Sequence, residues 1–132
     1  MRTSMVRARR LGHRDLRPAH ARLMIYLDWH GSRVSELAMA LGVSKNAVGQ
    51  VVTELEKCGY VERVPDPADG RAKIVRYTAQ GHGLLRDALT ISADMDDEVG
   101  RIIGKDRLDA LRDTLAEVCR CLPSVRGEGN EA

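Results

Sequence analysis

Phenylalanine is absent from the 132 residues, and aromatic side chains make up only 3% of them. The hydrophobic share is still 43%, with 30% charged, so a chain of this length can bury a real core and is not a disordered tail. It is too short for a barrel enzyme. No run of about 18 apolar residues occurs, which excludes a membrane-spanning helix. No apolar stretch follows the arginine-rich segment 1–10, so no secretory signal is expected and the cytoplasm is the expected compartment. Internal repeats and low-complexity segments are also missing.

The chemistry of catalysis is scarce too. The four histidines, His13, His20, His30 and His82, show no metal-ligand spacing, and neither a glycine-rich phosphate loop nor a nucleophile elbow is present. No enzyme activity, metal or cofactor is expected. Three cysteines, Cys58, Cys119 and Cys121, form an odd set without framework spacing, which fits reduced thiols rather than a secreted disulfide scaffold.

What the chain does have is uneven charge. Residues 1–80 carry 14 Lys and Arg against 8 Asp and Glu, whereas residues 81–132 carry 7 against 11. A basic first part suits a polyanion, and an acidic second part suits a surface held away from it. Arginine outnumbers lysine 17 to 4, and the guanidinium fork matches phosphate and guanine.

The coarse pattern is helical, with one hairpin in the middle. A short helix over 3–11 ends at Gly12, and Pro18 opens a second over 19–28. A three-residue strand is expected over 33–35, with Ser35 as an alternative cap for a helix over 36–41. A further helix, capped by Ser44, covers 45–57. Two strand-like runs, 60–64 and 72–78, flank a proline-rich loop. Thr78 caps a long helix over 79–103, Gly104 ends it, and Asp106 caps another running to about residue 122.

The segment 34–53 carries the strongest signal. Leu37, Leu41, Val43, Val48 and Val51 are its apolar positions, with Ala38 small inside and Gly42 at the bend. Two short helices crossing over a tight turn need a small residue at the crossing and tolerance of positive φ at the turn. On a wheel of about 100° per residue from Lys45, the residues Lys45, Asn46, Gly49, Gln50, Thr53 and Lys57 share roughly one 140° arc. The opposite arc holds Ala47, Val48, Val51, Val52 and Leu55. A face of Lys, Asn, Gly, Gln and Thr is suited to base edges and phosphates, since Asn and Gln pair with adenine and Lys reaches guanine or phosphate.

The hairpin loop ends in Asp69-Gly70-Arg71, followed by Lys73 and Arg76. Such a tip can lie along phosphates and place an arginine in a narrow minor groove, and Asp69 is close enough in sequence to brace the Arg71 guanidinium.

Four stretches carry a resemblance. They are Arg33-Val34-Ser35-Glu36-Leu37-Ala38 with Leu41-Gly42-Val43-Ser44, Leu55-Glu56-Lys57-Cys58-Gly59-Tyr60-Val61-Glu62-Arg63, Asp66-Pro67-Ala68-Asp69-Gly70-Arg71-Ala72, and Thr78-Ala79-Gln80-Gly81. In this order, over roughly residues 16–122, the chain resembles the MarR family of winged-helix transcription regulators. The resemblance implies a homodimer on a pseudo-palindromic double-stranded operator. It places Lys45, Asn46, Gln50 and Thr53 in the major groove and Arg71 in the minor groove, with Arg33, Ser44, Gly49, Asp69 and Lys73 completing the DNA-binding set. It also implies release of DNA by a small aromatic effector, in a pocket near His20 and Met24, or by thiol oxidation. Many relatives carry Thr-Arg where this chain has Gly49-Gln50. The segment before Leu16 is shorter than the family's usual first helix, which shifts dimerisation toward the C-terminal helices.

Those helices read as interface. Leu84, Ala88, Ile91, Met95, Val99 and Ile102 form one stripe, and Leu108, Leu111, Leu115, Val118 and Leu122 form a second. One small lobe cannot cover both, so they are expected to bury against a second copy, together with Leu11. Cys119 and Cys121 point about 160° apart on a helix and cannot share a metal or close a disulfide with each other. The family's peroxide sensors use a cysteine near the N-terminus, and none stands there in this chain.

The expected fold is therefore mainly α with a small β-hairpin wing: a winged helix-turn-helix domain plus N- and C-terminal dimerisation helices. A single domain spans 1–132, with a DNA-binding lobe at 16–78, dimerisation helices at 1–15 and 79–122, and a flexible tail at 123–132. The expected function is a homodimeric DNA-binding repressor released by a small ligand. The alternatives are a dimeric interaction module without DNA binding and a thiol-based redox-sensing repressor.

Overall fold

The structure, a computed structural model, describes residues 2–122. The tail expected at 123–132 lies outside the described residues. In chain order the elements are α1 (Arg2–Arg10), α2 (Pro18–Tyr26), β1 (Ser32–Arg33), α3 (Val34–Leu41), α4 (Lys45–Lys57), β2 (Val61–Pro65), β3 (Lys73–Tyr77), α5 (Ala79–Ile103) and α6 (Lys105–Cys121). The architecture is mainly α with a small β-hairpin wing, as the sequence predicts, and β1 joins the hairpin in a three-stranded antiparallel sheet in the order β1-β3-β2.

Local chemistry sets most boundaries. Ser44 Oγ accepts from the Ala47 N–H at 3.1 Å and caps α4. Thr78 Oγ1 accepts from the Gly81 N–H at 3.1 Å and donates to the Gly59 carbonyl at 2.5 Å, capping α5 and tying it to the end of α4. Gly42, at φ 66°, makes the left-handed turn between α3 and α4.

Several boundaries differ from expectation by a residue or two, and three of them have a local cause. Helix α2 stops at Tyr26 because Asp28 starts a turn: its carboxylate accepts from the His30 N–H at 2.8 Å, and its own N–H donates to Ser32 Oγ at 3.0 Å. Strand β1 is only Ser32–Arg33, and α3 begins at Val34. The reason is Glu36, which reaches back to accept from the Arg33 N–H at 2.9 Å, so Ser35 is not the cap. Helix α6 starts directly after Gly104, leaving Asp106 in its first turn, where it complements the helix dipole rather than capping.

The core lies where α2, α3, α4 and the sheet meet. Leu23, Leu37, Val48, Val52, Leu55 and Val75 are all fully buried there. Each contributes roughly 1.5–3 kcal/mol on leaving water. In the hairpin, Glu62 pairs with Arg76 across the strands, with Arg76 Nε donating to Oε1 at 2.7 Å. Helix α5 crosses the start of β2 so closely that a Cβ on Gly81 would stand 2.0 Å from the Tyr60 carbonyl oxygen.

Helix α1 packs on α5, with Ala8 buried and the Arg7 guanidinium donating to both Glu98 oxygens at 2.6 and 2.8 Å. His13, in the loop after α1, contacts Tyr60 Oη and Asp87 Oδ2, both at 2.7 Å. Burial fades along α5: Leu84 and Ile91 are buried, Met95 is half-buried, and Ile102 is 81% exposed. Helix α6 buries none of its residues.

Candidate nucleic-acid interface

Helix α4 has two chemically distinct sides. Val48, Val52 and Leu55 face the core, while Lys45, Asn46, Gln50, Thr53 and Lys57 are exposed. Among the described residues, the side chains of Lys45, Asn46, Gln50 and Lys57 have no intrachain hydrogen-bond or ion-pair partner. Their full donor and acceptor capacity is therefore open to an external partner. Gly49 lies on this face with open space where a Cβ would stand. Ser44, whose oxygen is occupied as a cap, keeps its O–H to donate.

Thr53, on the same face, has its hydroxyl already bonded within the chain. Its Oγ1 donates to the Gly49 carbonyl at 2.9 Å and accepts from Arg63 Nη2 at 3.3 Å. Arg63, on β2, is a residue that sequence reasoning missed. Its guanidinium also donates to the Gly49 carbonyl at 2.9 Å and pairs with Glu56, which in turn accepts from the Arg63 N–H at 3.1 Å. The wing strand is thus fastened to the outer side of α4.

The wing itself is braced differently from expectation. Asp69 does not hold the Arg71 guanidinium; it accepts from the Arg71 backbone N–H at 3.1 Å, shaping the turn. The braced arginine is Arg33, whose Nε donates to the buried Asp66 at 2.6 Å. Asp66 also accepts from the Ala68 N–H at 2.9 Å. That backbone bond, with the Arg33 pairing, holds its carboxyl below the usual carboxylate range. Arg33 therefore reaches the surface with its charge paired, whereas Arg71 and Lys73 are exposed without an intrachain partner among the described residues. An aspartate followed by proline and standing two residues before a backbone N–H that can donate to it is the sequence signal that could have found Asp66.

An apolar cavity of about 250 Å³ separates this lobe from α5. Met5 and Ala8 of α1, Leu16, Met24 of α2, and Leu84 and Ile91 of α5 line it. Met24 is where the sequence placed it, but His20 is not a lining residue. The His20 ring is 2% exposed; its Nδ1 accepts from the Arg17 N–H at 3.2 Å and its Nε2 contacts Glu54 at 2.7 Å. Reaching back over the first turn of α2 removes it from the cavity. Burial, with the Arg17 charge adding to it, pushes the imidazole below its ordinary value.

The residues expected at a dimer interface all stand outside the core. Leu11, Leu111, Leu115, Val118 and Leu122 are exposed, and Leu108 is half-buried. Leu89, Val99 and Ile102 of α5 extend this apolar surface. Cys119 and Cys121 are exposed, and Cys58 is half-buried at the end of α4.

Comparison with known proteins agrees with this architecture. The MarR family profile matches residues 14–72. The transcriptional regulator HosA of Escherichia coli O111:H- is 30% identical over 92 residues, covering 69% of this chain and 68% of that protein. The transcriptional regulator Tm0710 of Thermotoga maritima superposes with a TM-score of 0.62 at 29% identity, covering 89% of this chain and 84% of that one. The transcriptional repressor CouR, solved on a 23-mer DNA duplex, superposes with a TM-score of 0.61 at 28% identity, covering 80% and 75%. With its helix-turn-helix, its wing and these likenesses, the chain belongs to the MarR family and is a winged-helix transcription regulator.

Proposed function

We propose that the chain is a homodimeric repressor that reads a pseudo-palindromic operator through α4 and the wing. The observation that carries this reading is the outward face of α4, where Lys45, Asn46 and Gln50 are exposed and unpartnered beside a bare Gly49. Residues 16–78 form the DNA-binding lobe, and 1–15 with 79–122 supply the dimerisation helices. Two lobes related by a twofold axis would set their recognition helices about 34 Å apart, matching successive major grooves. Arg71 would enter the minor groove, while Lys73 and Ser44 would hold phosphates. Arg33, paired with Asp66, and Asp69, bonded to the Arg71 N–H, would keep the wing in shape. CouR, a DNA-bound relative of similar fold, supports the assignment. A regulator of this kind works in the cytoplasm.

The cavity between α1, α2 and α5 suits a small, largely apolar aromatic effector. It lies between the DNA-binding lobe and α5, so an occupant would push the two apart, and filling it would favour one spacing of the two recognition helices over another.

The test is a fluorescence anisotropy titration on DNA from the gene's own upstream region, at several salt concentrations, with scrambled DNA as control. Tight, salt-steep and sequence-preferring binding is expected, because phosphate contacts release counterions. Absence of binding at low salt would overturn the reading in favour of a dimeric interaction module.

A further inference from the structure

Thr53 stands on the exposed face of α4, yet its hydroxyl is already engaged twice. The hydroxyl hydrogen goes to the Gly49 carbonyl at 2.9 Å, and Oγ1 receives Arg63 Nη2 at 3.3 Å. A hydroxyl has one hydrogen to give, so Thr53 has no donor left for a base or phosphate. What it still offers a partner is one oxygen lone pair and its methyl group. One turn earlier on the same face stands Gly49, with nothing within 4 Å of where a Cβ would be. Asn46 and Gln50 flank this gap with free amides.

We propose that Gly49 and Thr53, held in place by Arg63, form an apolar notch that reads the 5-methyl group of a thymine in the operator half-site. The inference rests on the reading of α4 as the helix that enters the major groove. The thymine methyl is the one apolar group on the major-groove edge, and a threonine methyl is a suitable partner for it. Arg63 acts as a positioning residue. Glu56 and the Gly49 carbonyl fix its guanidinium, which occupies the Thr53 oxygen and keeps the hydroxyl turned back on the helix. Asn46 and Gln50 are then free to read adenines on either side.

The test uses the full chain and a duplex that it enriches from a randomised pool. Each thymine is replaced in turn by deoxyuridine, which removes the methyl and nothing else. One position in each half-site is expected to lose about three- to tenfold in affinity, the worth of one buried methyl contact. Thr53→Val keeps a methyl and drops the hydroxyl, and should retain the sensitivity at that position. Thr53→Ser keeps the hydroxyl and drops the methyl, and should abolish it there alone. Arg63→Gln should blunt the sensitivity without changing the salt slope, because the guanidinium faces Glu56 and the helix.

Enrichment of a sequence whose binding ignores every deoxyuridine swap would overturn the notch while leaving α4 as the reading helix. Sensitivity that survives in Thr53→Ser and disappears in Thr53→Val would also overturn it, making the hydroxyl the reader. A salt slope lowered by about one in Arg63→Gln would make Arg63 a phosphate contact and remove it from the notch. Failure of the pool to enrich any sequence would overturn the notch together with the reading on which it rests.

Discussion

The buried His20 imidazole of α2 meets the Glu54 carboxylate of α4 at 2.7 Å, and Arg17 pairs with the same carboxylate. The start of α2 is thereby locked to the second half of α4. For Nδ1 to accept from the Arg17 N–H, the ring must carry its proton on Nε2. The fold therefore holds the neutral imidazole.

A pH dependence follows from that protonation state. The folded value lies below the ordinary 6.5, so on acidification the unfolded chain binds this proton first. The stabilisation is full above about pH 7 and is lost as the pH falls through 6.5 toward the folded value. Denaturation midpoints should drop between pH 7.5 and 5.5 in the wild type, and less in His20→Gln. Equal drops in both proteins would remove His20 as the cause.

Arg71→Ala should weaken operator binding by about 1–3 kcal/mol with the thermal midpoint unchanged, since the side chain is exposed and makes no hydrogen bond or ion pair with another described residue. Its loss should also lower the salt slope. Affinity equal to wild type would mean that the wing tip does not touch DNA.

Leu115, 54% exposed on a helix that buries none of its residues, should be sensitive to charge if α6 is an interface. Leu115→Glu should convert the dimer to monomer in sedimentation velocity while the far-ultraviolet circular dichroism of the lobe persists. A dimer that tolerates the substitution would place the interface elsewhere.

Gly49→Ala should stabilise the protein and impair its reading of DNA. A Cβ there meets nothing within 4 Å, and alanine is favoured over glycine in an exposed helix by about 1 kcal/mol. A higher denaturation midpoint with weaker operator affinity is expected. Gain in both would show that the gap is not used.

The legible parts of this molecule are those whose signal is local. Ala38, Gly42 and Ser44 sit within one turn-and-a-half of each other, so the helix-turn-helix could be read from spacing alone. The stripe from Leu84 to Ile102 has a helical period that survives whatever packs against it. The wheel of α4 likewise separated Val48 and Val52 from Asn46 and Gln50. The contacts that brace the site are different in kind. His20 meets Glu54 across 34 positions, and Arg33 meets Asp66 across 33, distances at which no periodicity speaks. The assignment of His20 to the cavity failed for that reason. Asp69 is expected to brace Arg71 because the two are near in sequence, whereas in the fold it is the buried Asp66 that pairs with an arginine, Arg33. Arg63 escaped notice because a β-strand residue seldom claims the carbonyl of a neighbouring helix.

The contact at Gly81 gives α5 the mechanics of a lever. With the first turn pressed against the Tyr60 carbonyl and Thr78 bonded to Gly59, that end of the helix is a fixed fulcrum. Of the 25 residues of the helix, the 22 beyond Gly81 form the arm, roughly 33 Å at 1.5 Å per residue. A tilt of about 5° at the fulcrum carries the far tip through roughly 3 Å, a distance comparable to one base-pair step. Any side chain larger than hydrogen at position 81 would unseat the fulcrum before it changed a single atom of the exposed face of α4.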